Sequence, residues 1–413
     1  MPYSFPREDE GSPRQAILDK LCQDEVKQFR TMQLERIKAL AKELQPQEDE
    51  LHSKLPAATR KILEGKRILL LQRLMREAGI PDRGFISRMV AGFELLGDLP
   101  ETGLFPKQFR PPRISKQELM KTAKVAQSEA VRECTSSGDP ELDKAVYEKT
   151  LAEENEGWIS APMSSREICE KVGPLHIVNK RFGIHQGGKI RQIDDFSRHL
   201  PNATVGQPEK LELGGIDEIL TIARSMEEIR SGRLSSHVCE DGLVIYFRCH
   251  PDWKTHMNLL GRTVDLESAY KQLAISKADL WASLVAVFNP VSRRCELRQL
   301  LALPFGATGS VMSFNWASRI LAQVANSLLL VVCTAYFDDF PQLEDEELIA
   351  GELDIFVELL CILGWRVSEK KLIEAPFKDD FKVLGVRVCL NLLNEKRVVV
   401  SNTDDRKSDQ EQH

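Results

Sequence analysis

The most apolar stretch of this chain, Ile320 to Tyr336, ends on two adjacent acids, Asp338 and Asp339. Gln323, Asn326 and Ser327 interrupt it, and it is too short and too polar to cross a membrane, which takes ~20 apolar residues. The run must therefore be buried inside the protein while its end presents charge. Neighbouring side chains of a strand point to opposite faces, so a tight turn between strands is the natural way to present both acids. Like charges at the end of a buried hairpin are costly unless a cation neutralises them. Mg²⁺, with its preference for oxygen ligands, suits such a place. Alone, the dipeptide reads more readily as an exposed Asp-Asp turn.

The composition narrows the classes. The chain has 413 residues, 42% apolar and 29% charged, which excludes wholesale disorder and fibrous repeats. A net charge of −6 excludes a chain-wide basic field, so contact with nucleic acid needs a local basic cleft. Met1 to Gln15 is polar and reads as no secretory signal. Nine scattered cysteines without a CxxC suggest reduced thiols and an intracellular setting, cytoplasmic or nuclear. His237, Cys239, Cys249 and His250 fit no standard zinc finger, and Leu243 to Phe247 between them reads as a strand.

Residues 1–155 read as a charged, helical region of unknown role. Apolar residues from Leu18 to Leu44 recur at near-helical spacing, giving an amphipathic helix over 14–45 that packs on its own chain or pairs with a second copy or a protein partner. Two helices over 57–97 part at Gly79-Ile80-Pro81, Leu99 to Ile114 is Pro-rich and extended, and 115–155 is helical with a turn at Ser136 to Pro140. After Trp158 the texture changes. Strands are predicted at 243–248, 262–265, 282–288, 331–337, 381–389 and 397–400, and helices at 308–330 and 345–363. The order implies an α+β fold with helices on one face of a mainly antiparallel sheet. The polar end, residues 401–413, reads as a disordered tail.

A third acid strengthens the reading of the pair. Asp265 closes the strand Arg262-Thr263-Val264-Asp265, 73 residues before Asp338. Two adjacent strands ending together would bring it beside the Asp338-Asp339 turn, where three carboxylates can hold two divalent ions that clamp a phosphoryl transfer.

With these residues in place, the chain resembles reverse transcriptases, RNA-directed DNA polymerases, most nearly those of eukaryotic retrotransposons, with DIRS-type elements the candidate group. The resemblance runs from about Lys180 to Val388 and covers fingers and palm only. Arg191 to Phe196 resembles the fingers motif. Asp265 to Tyr270 resembles the first aspartate motif of the palm, Leu303 to Gly306 the turn that opens the palm helix, and Tyr336 to Asp339 the Tyr-x-Asp-Asp box. Gly364-Trp365 with Lys370-Lys371, then Val383 to Gly385, resembles the lysine motif and the primer grip.

The resemblance implies a right-hand polymerase with a fingers-like subdomain over 156–260 and a palm-like one over 261–400. It implies two Mg²⁺ or Mn²⁺ ions on Asp265, Asp338 and Asp339, with Lys371, or else Lys370, as acid for the leaving pyrophosphate. Lys189 and Arg191 would meet the nucleotide triphosphate, since the planar fork of arginine suits phosphate oxygens. Tyr270 would be the sugar gate that selects dNTPs, Phe305 and Gly306 would line the nucleotide pocket, and Leu384 and Gly385 would form the primer grip. Asp195 is favoured over Asp194 as the fingers carboxylate, and Lys180 and Arg181 would add positive charge for an RNA or DNA template carrying a primer. Each residue also has a plain reading: core tyrosine, surface lysine, glycine turn. Only 28 residues follow Gly385, so the helical thumb of such polymerases has no counterpart here. That departure makes a repurposed, non-catalytic nucleic-acid-binding remnant the rival reading. An RNA-making polymerase is disfavoured by Tyr270 and by the form of the Tyr-x-Asp-Asp box.

Overall fold

The computed structural model describes residues 26–238, 244–246, 258–349 and 354–403. The first helix, α1 (Val26–Lys54), continues nine residues beyond the expected end and passes through Pro46. Glu48 explains the extension. Its buried carboxylate accepts the N–H groups of Ile68 (3.1 Å) and Leu70 (3.0 Å), capping the first turn of a later helix and fixing the tail of α1 in place. The two helices expected over 57–97 are three, α2 (Ala57–Ile62), α3 (Ile68–Glu77) and α4 (Phe85–Ala91): one break falls where Gly79 to Pro81 predicts, and a second lies at 63–67. The Pro-rich stretch holds strand β1 (Lys107–Arg110). Ser115 opens α5 (Lys116–Glu133) with a capping box and Asp139 caps α6 (Pro140–Asn155), so the Ser136 to Pro140 turn falls between them.

Helix α7 (Ser165–Val172) leads into a hairpin, β2 (Val178–Gln186) and β3 (Lys189–Asp195). Gly187 and Gly188, at φ +56° and +68°, make its two-residue turn. After β4 (Gln207–Glu209), which pairs with β1, comes α8 (Ile216–Arg230), a helix the sequence reading left unassigned. Strands β5 (Ser236–Val238) and β6 (Val244–Tyr246) form a small pair. Cys239, Cys249 and His250 of the zinc candidate lie outside the described residues.

Strand β7 (Leu259–Asp265) precedes the hairpin β8 (Leu284–Asn289) and β9 (Arg294–Gln299), the long α9 (Thr308–Leu329) and the short β10 (Val332–Cys333). Residues 331–337 are thus mostly not strand. The strand starts at the second acid, in β11 (Asp339–Asp345), a stretch with Pro341 and three acids over which the sequence predicts no strand. The proline is tolerated because β10 pairs only through Val332 and Cys333, and Thr334 N–H donates to the Pro341 carbonyl at 3.0 Å. The predicted helix over 345–363 becomes α10 (Glu346–Ile349) and α11 (Ile355–Ile362). Helix α12 (Glu369–Glu374) and the sheet β12 (Asp380–Val383), β13 (Val386–Cys389) and β14 (Val399–Asn402) close the chain.

The architecture is α+β. An antiparallel sheet β10-β11-β7 sits beside the sheet β12-β13-β14, and a four-stranded sheet β3-β2-β8-β9 contains one parallel pairing, β2 with β8. That sheet draws strands from both sides of residue 260. The tail is also ordered further than expected. Ser401 and Asn402 belong to β14, and Thr403 donates to the Gly385 carbonyl at 3.3 Å, while 404–413 lie outside the described residues.

The N-terminal helices share one core with the centre of the chain. Leu34, Ile37, Leu74 and Phe85 pack with Phe314, Trp316, Phe340 and Trp365. Arg30 of α1 donates to the Leu329 (2.9 Å) and Leu330 (2.6 Å) carbonyls at the end of α9, which the helix leaves unpaired, and forms an ion pair with Glu344 at 2.7 Å. The buried faces of these helices thus pack within the chain, while Met32, Val125 and Val131 stay exposed. Among the described residues no helix is long and apolar enough to cross a membrane.

Candidate active site

Asp265 ends β7 and Asp339 begins β11, and the two are direct cross-strand partners. Val264 and Phe340, the adjacent pair, are fully buried, so the acids share the opposite face. Tyr336 and Asp339 exchange backbone hydrogen bonds at 2.9 and 3.0 Å, closing a two-residue turn at Phe337 and Asp338. Phe337 has φ +51°, as in turns positive at the first central residue, a conformation costly for a residue with a Cβ. The Asp338 carbonyl in turn accepts Leu266 N–H at 3.2 Å, pinning the turn to the end of β7.

The electrostatics follow from this crowding. Burial, then the Asp265 charge, raises the Asp338 carboxyl. Burial, then the charges of Asp338 and Asp265, lifts Asp339 to about 7. Lys371 lowers both, and the Arg191 guanidinium from β3 lowers Asp338. The Lys371 ammonium pairs directly with Asp265. It arrives there because Gly364 to Ser368 run along the end of β7, with Ser368 N–H donating to the Asp265 carbonyl at 2.9 Å and Glu267 N–H to Arg366. Lys370 faces away, 4.0 Å from Glu374 and 86% exposed.

Three carboxylates on hard oxygen are a suitable donor set for a divalent cation, whose charge would relieve the repulsion that raises Asp338 and Asp339. Their oxygens are not yet gathered around one point: among the described residues no three His, Cys, Asp or Glu side chains are arranged as for a metal ion.

Tyr270 sits on a short 3₁₀ turn, Ala269–Gln272, directly after β7. Its ring lies 4.8 Å from that of Phe314, stacked, and 4.5 Å from that of the half-exposed Phe305, tilted. Burial, then Asp338, raises its hydroxyl. Gly306 adopts φ +93°, and a Cβ there would meet the Asp194 carbonyl oxygen at 2.3 Å, so only glycine allows strand β3 so close. Asn202 locks the same corner, donating to the Gly306 carbonyl (2.8 Å) and accepting Thr308 N–H (2.8 Å) at the start of α9.

One expectation is corrected. Arg181 is not available to a template: it is fully buried and bridges Asp194 (2.7 and 2.9 Å) and Glu153 (2.7 Å). Asp195 acts as a local cap, accepting Ser197 and Arg198 N–H at 3.0 Å each. The sequence reading missed Glu153, held near 2 by Lys271 and Arg181, which outweigh its burial. This α6 residue ties the neighbour of Tyr270, Lys271 (3.1 Å), to the Arg181–Asp194 pair beneath Gly306. Leu384 and Gly385 form the turn between β12 and β13. Their sheet is joined to β7 through Gly261 with Lys378 and through Thr263 with the Lys382 carbonyl, so they stand on a separate element from the carboxylates.

No family model matches the sequence, and no curated protein matches it. Among solved structures, a foamy viral protease-reverse transcriptase in complex with double-stranded DNA aligns with a TM-score of 0.41 and 12% sequence identity. The match covers 89% of this chain and 48% of that one, so the chain spans about half the length of that neighbour.

Proposed function

We propose that the chain carries a reverse-transcriptase-like core that makes DNA on a nucleic-acid template, its reaction the attack of a primer 3′-hydroxyl on the α-phosphate of a dNTP with release of pyrophosphate. The observation that carries the reading is the pairing of Asp265 with Asp339 across β7 and β11, with Asp338 in the turn between. Two Mg²⁺ or Mn²⁺ ions, held by Asp265, Asp338 and Asp339, would supply Lewis-acid stabilisation of the charge that develops on the phosphate. The remaining work belongs to the chain. Arg191, whose field already reaches Asp338, and Lys189 on the same face of β3 draw in the triphosphate. Phe305 and Gly306 form the floor under the base and sugar. Tyr270, held by Phe305 and Phe314, excludes a 2′-hydroxyl by volume. Lys371 gives a proton to the leaving pyrophosphate once it releases Asp265.

The hold of Lys371 on Asp265 also favours a second reading, a non-catalytic remnant in which the ammonium permanently replaces a metal ion. Primer extension separates the two. Purified chain with an annealed primer, dNTPs and Mg²⁺ or Mn²⁺ lengthens the primer on the first reading. On the second it binds the duplex and leaves the primer unchanged.

A further inference from the structure

Beside the start of α9, away from the carboxylates, the β1–β4 ribbon borders a cavity of about 260 Å³ lined by Arg110, Arg113, Ser197, Asn202, Gln207 and Thr308, with no carboxylate in its lining. In a chain of net charge −6 such a local cation excess stands out. Both arginines are exposed, and neither forms an ion pair among the described residues. The segment that carries them is held rather than loose. The N–H groups of Arg113 and Ile114 both donate to the Ala203 carbonyl, at 2.7 and 3.2 Å. One residue before Arg110, Phe109 presents its ring to solvent at 67% exposure. The strand pairing explains how both side chains reach outward. Lys107 faces Glu209 and Arg110 faces Gln207, three steps on β1 against two on β4, a register shift in a strand exposed along its length.

Cations without partners, an exposed ring beside them and a small cavity lined by both polar and apolar groups suit single-stranded nucleic acid, which needs phosphate neutralisation and a stacking platform for bases. The geometry points to this ribbon as a track for the unpaired template strand, with a phosphodiester in the Arg110–Arg113 cavity and a base on Phe109. The assignment rests on the polymerase reading for its choice of occupant. Asn202 supplies the connection, since it lines the cavity and bonds Gly306, so a strand seated here lies one residue from the proposed nucleotide floor.

Fluorescence anisotropy with the full chain tests it, using a labelled dT oligonucleotide, its rU counterpart, a primer–template with a 5′ overhang and a blunt duplex, each across a salt series. Arg110→Ala with Arg113→Ala is expected to weaken binding to the single strands and the overhang substrate, leave the blunt duplex unchanged, and flatten the salt dependence by roughly one unit of slope. Phe109→Ala is expected to weaken single-strand binding about tenfold with the slope unchanged, because a stacking contact releases no counterions. All three positions are exposed, so unfolding midpoints should hold. A double arginine variant that binds the overhang substrate with wild-type affinity and slope overturns the assignment. So does an equal loss on blunt duplex. Primer extension is read separately: a chain that fails to extend but shows these losses refutes the polymerase reading and leaves the track standing.

Discussion

At the scale of single residues, Tyr270 separates chemistry from packing. Its ring is 4% exposed and lies against two phenylalanines, so Tyr270→Ala removes a buried aromatic, a loss of about 3–5 kcal/mol in stability. If the ring also lies under the sugar, the ratio of kcat/KM for deoxy- over ribonucleotides should fall on the order of 10²-fold in the same variant. Tyr270→Phe, which keeps the volume, should keep the ratio; a ratio unchanged in both leaves Tyr270 a core residue. Lys66 offers a prediction away from the site. Burial and the nearby Arg366 charge lower it to about 7. Its Nζ has two acceptors, Gln272 Oε1 (2.8 Å) and the Gly364 carbonyl (2.6 Å), matching the two N–H groups of a neutral amine. Between about 7 and the ordinary value near 10.5 the unfolded chain then binds more protons than the folded one, so stability rises with pH. Urea unfolding from pH 7 to 9 should show a component of up to about 1.4 kcal/mol per pH unit that Lys66→Met abolishes. Identical slopes in the two proteins would place the ammonium, charged, over Trp365 instead.

At the scale of elements, the site is assembled by ties that sequence patterns carry unequally. The α9 helix and a turn at the acids were legible because apolar period and turn chemistry are local signals. Strand β11 was not, since Pro341 and its acids contradict strand propensity, and only the pairing with β7 overrides them. Helix α8 could have been found: Ile219, Ile222, Ala223, Met226 and Ile229 recur at the spacing of one buried face. The Glu153–Arg181–Asp194 network could not, because its members lie on three elements and nothing local marks a charge as buried. Arg181→Met should therefore cost about 3–5 kcal/mol, since the buried Asp194 loses its cation and Glu153 keeps only Lys271, and calorimetry or urea unfolding would measure it. A loss under ~1 kcal/mol would mean that water reaches those acids. Gly306→Ala should distort the same corner. Its Cβ has no room against the Asp194 carbonyl, so stability should fall by about 1–3 kcal/mol, and nucleotide affinity should fall with it.

At the scale of the molecule, the N-terminal helices, which hold no chemical motif, bear on the site through packing. Gly364 shows how: a Cβ there would meet the Gly65 carbonyl oxygen at 1.9 Å, so the segment that carries Arg366 and Ser368 to the end of β7 is set directly against the loop before α3. The same segment delivers Lys371 to Asp265. The shared core and this close backbone approach thus set the segment that brings Lys371 to Asp265. The most direct test is a single-nucleotide incorporation assay, comparing wild type with Asp338→Asn at matched primer–template occupancy and with matched unfolding midpoints. Incorporation by the wild type, reduced at least ~10³-fold in Asp338→Asn, is the result the carboxylate site predicts. No incorporation by a folded, primer-bound wild type, or undiminished incorporation in Asp338→Asn, would contradict it.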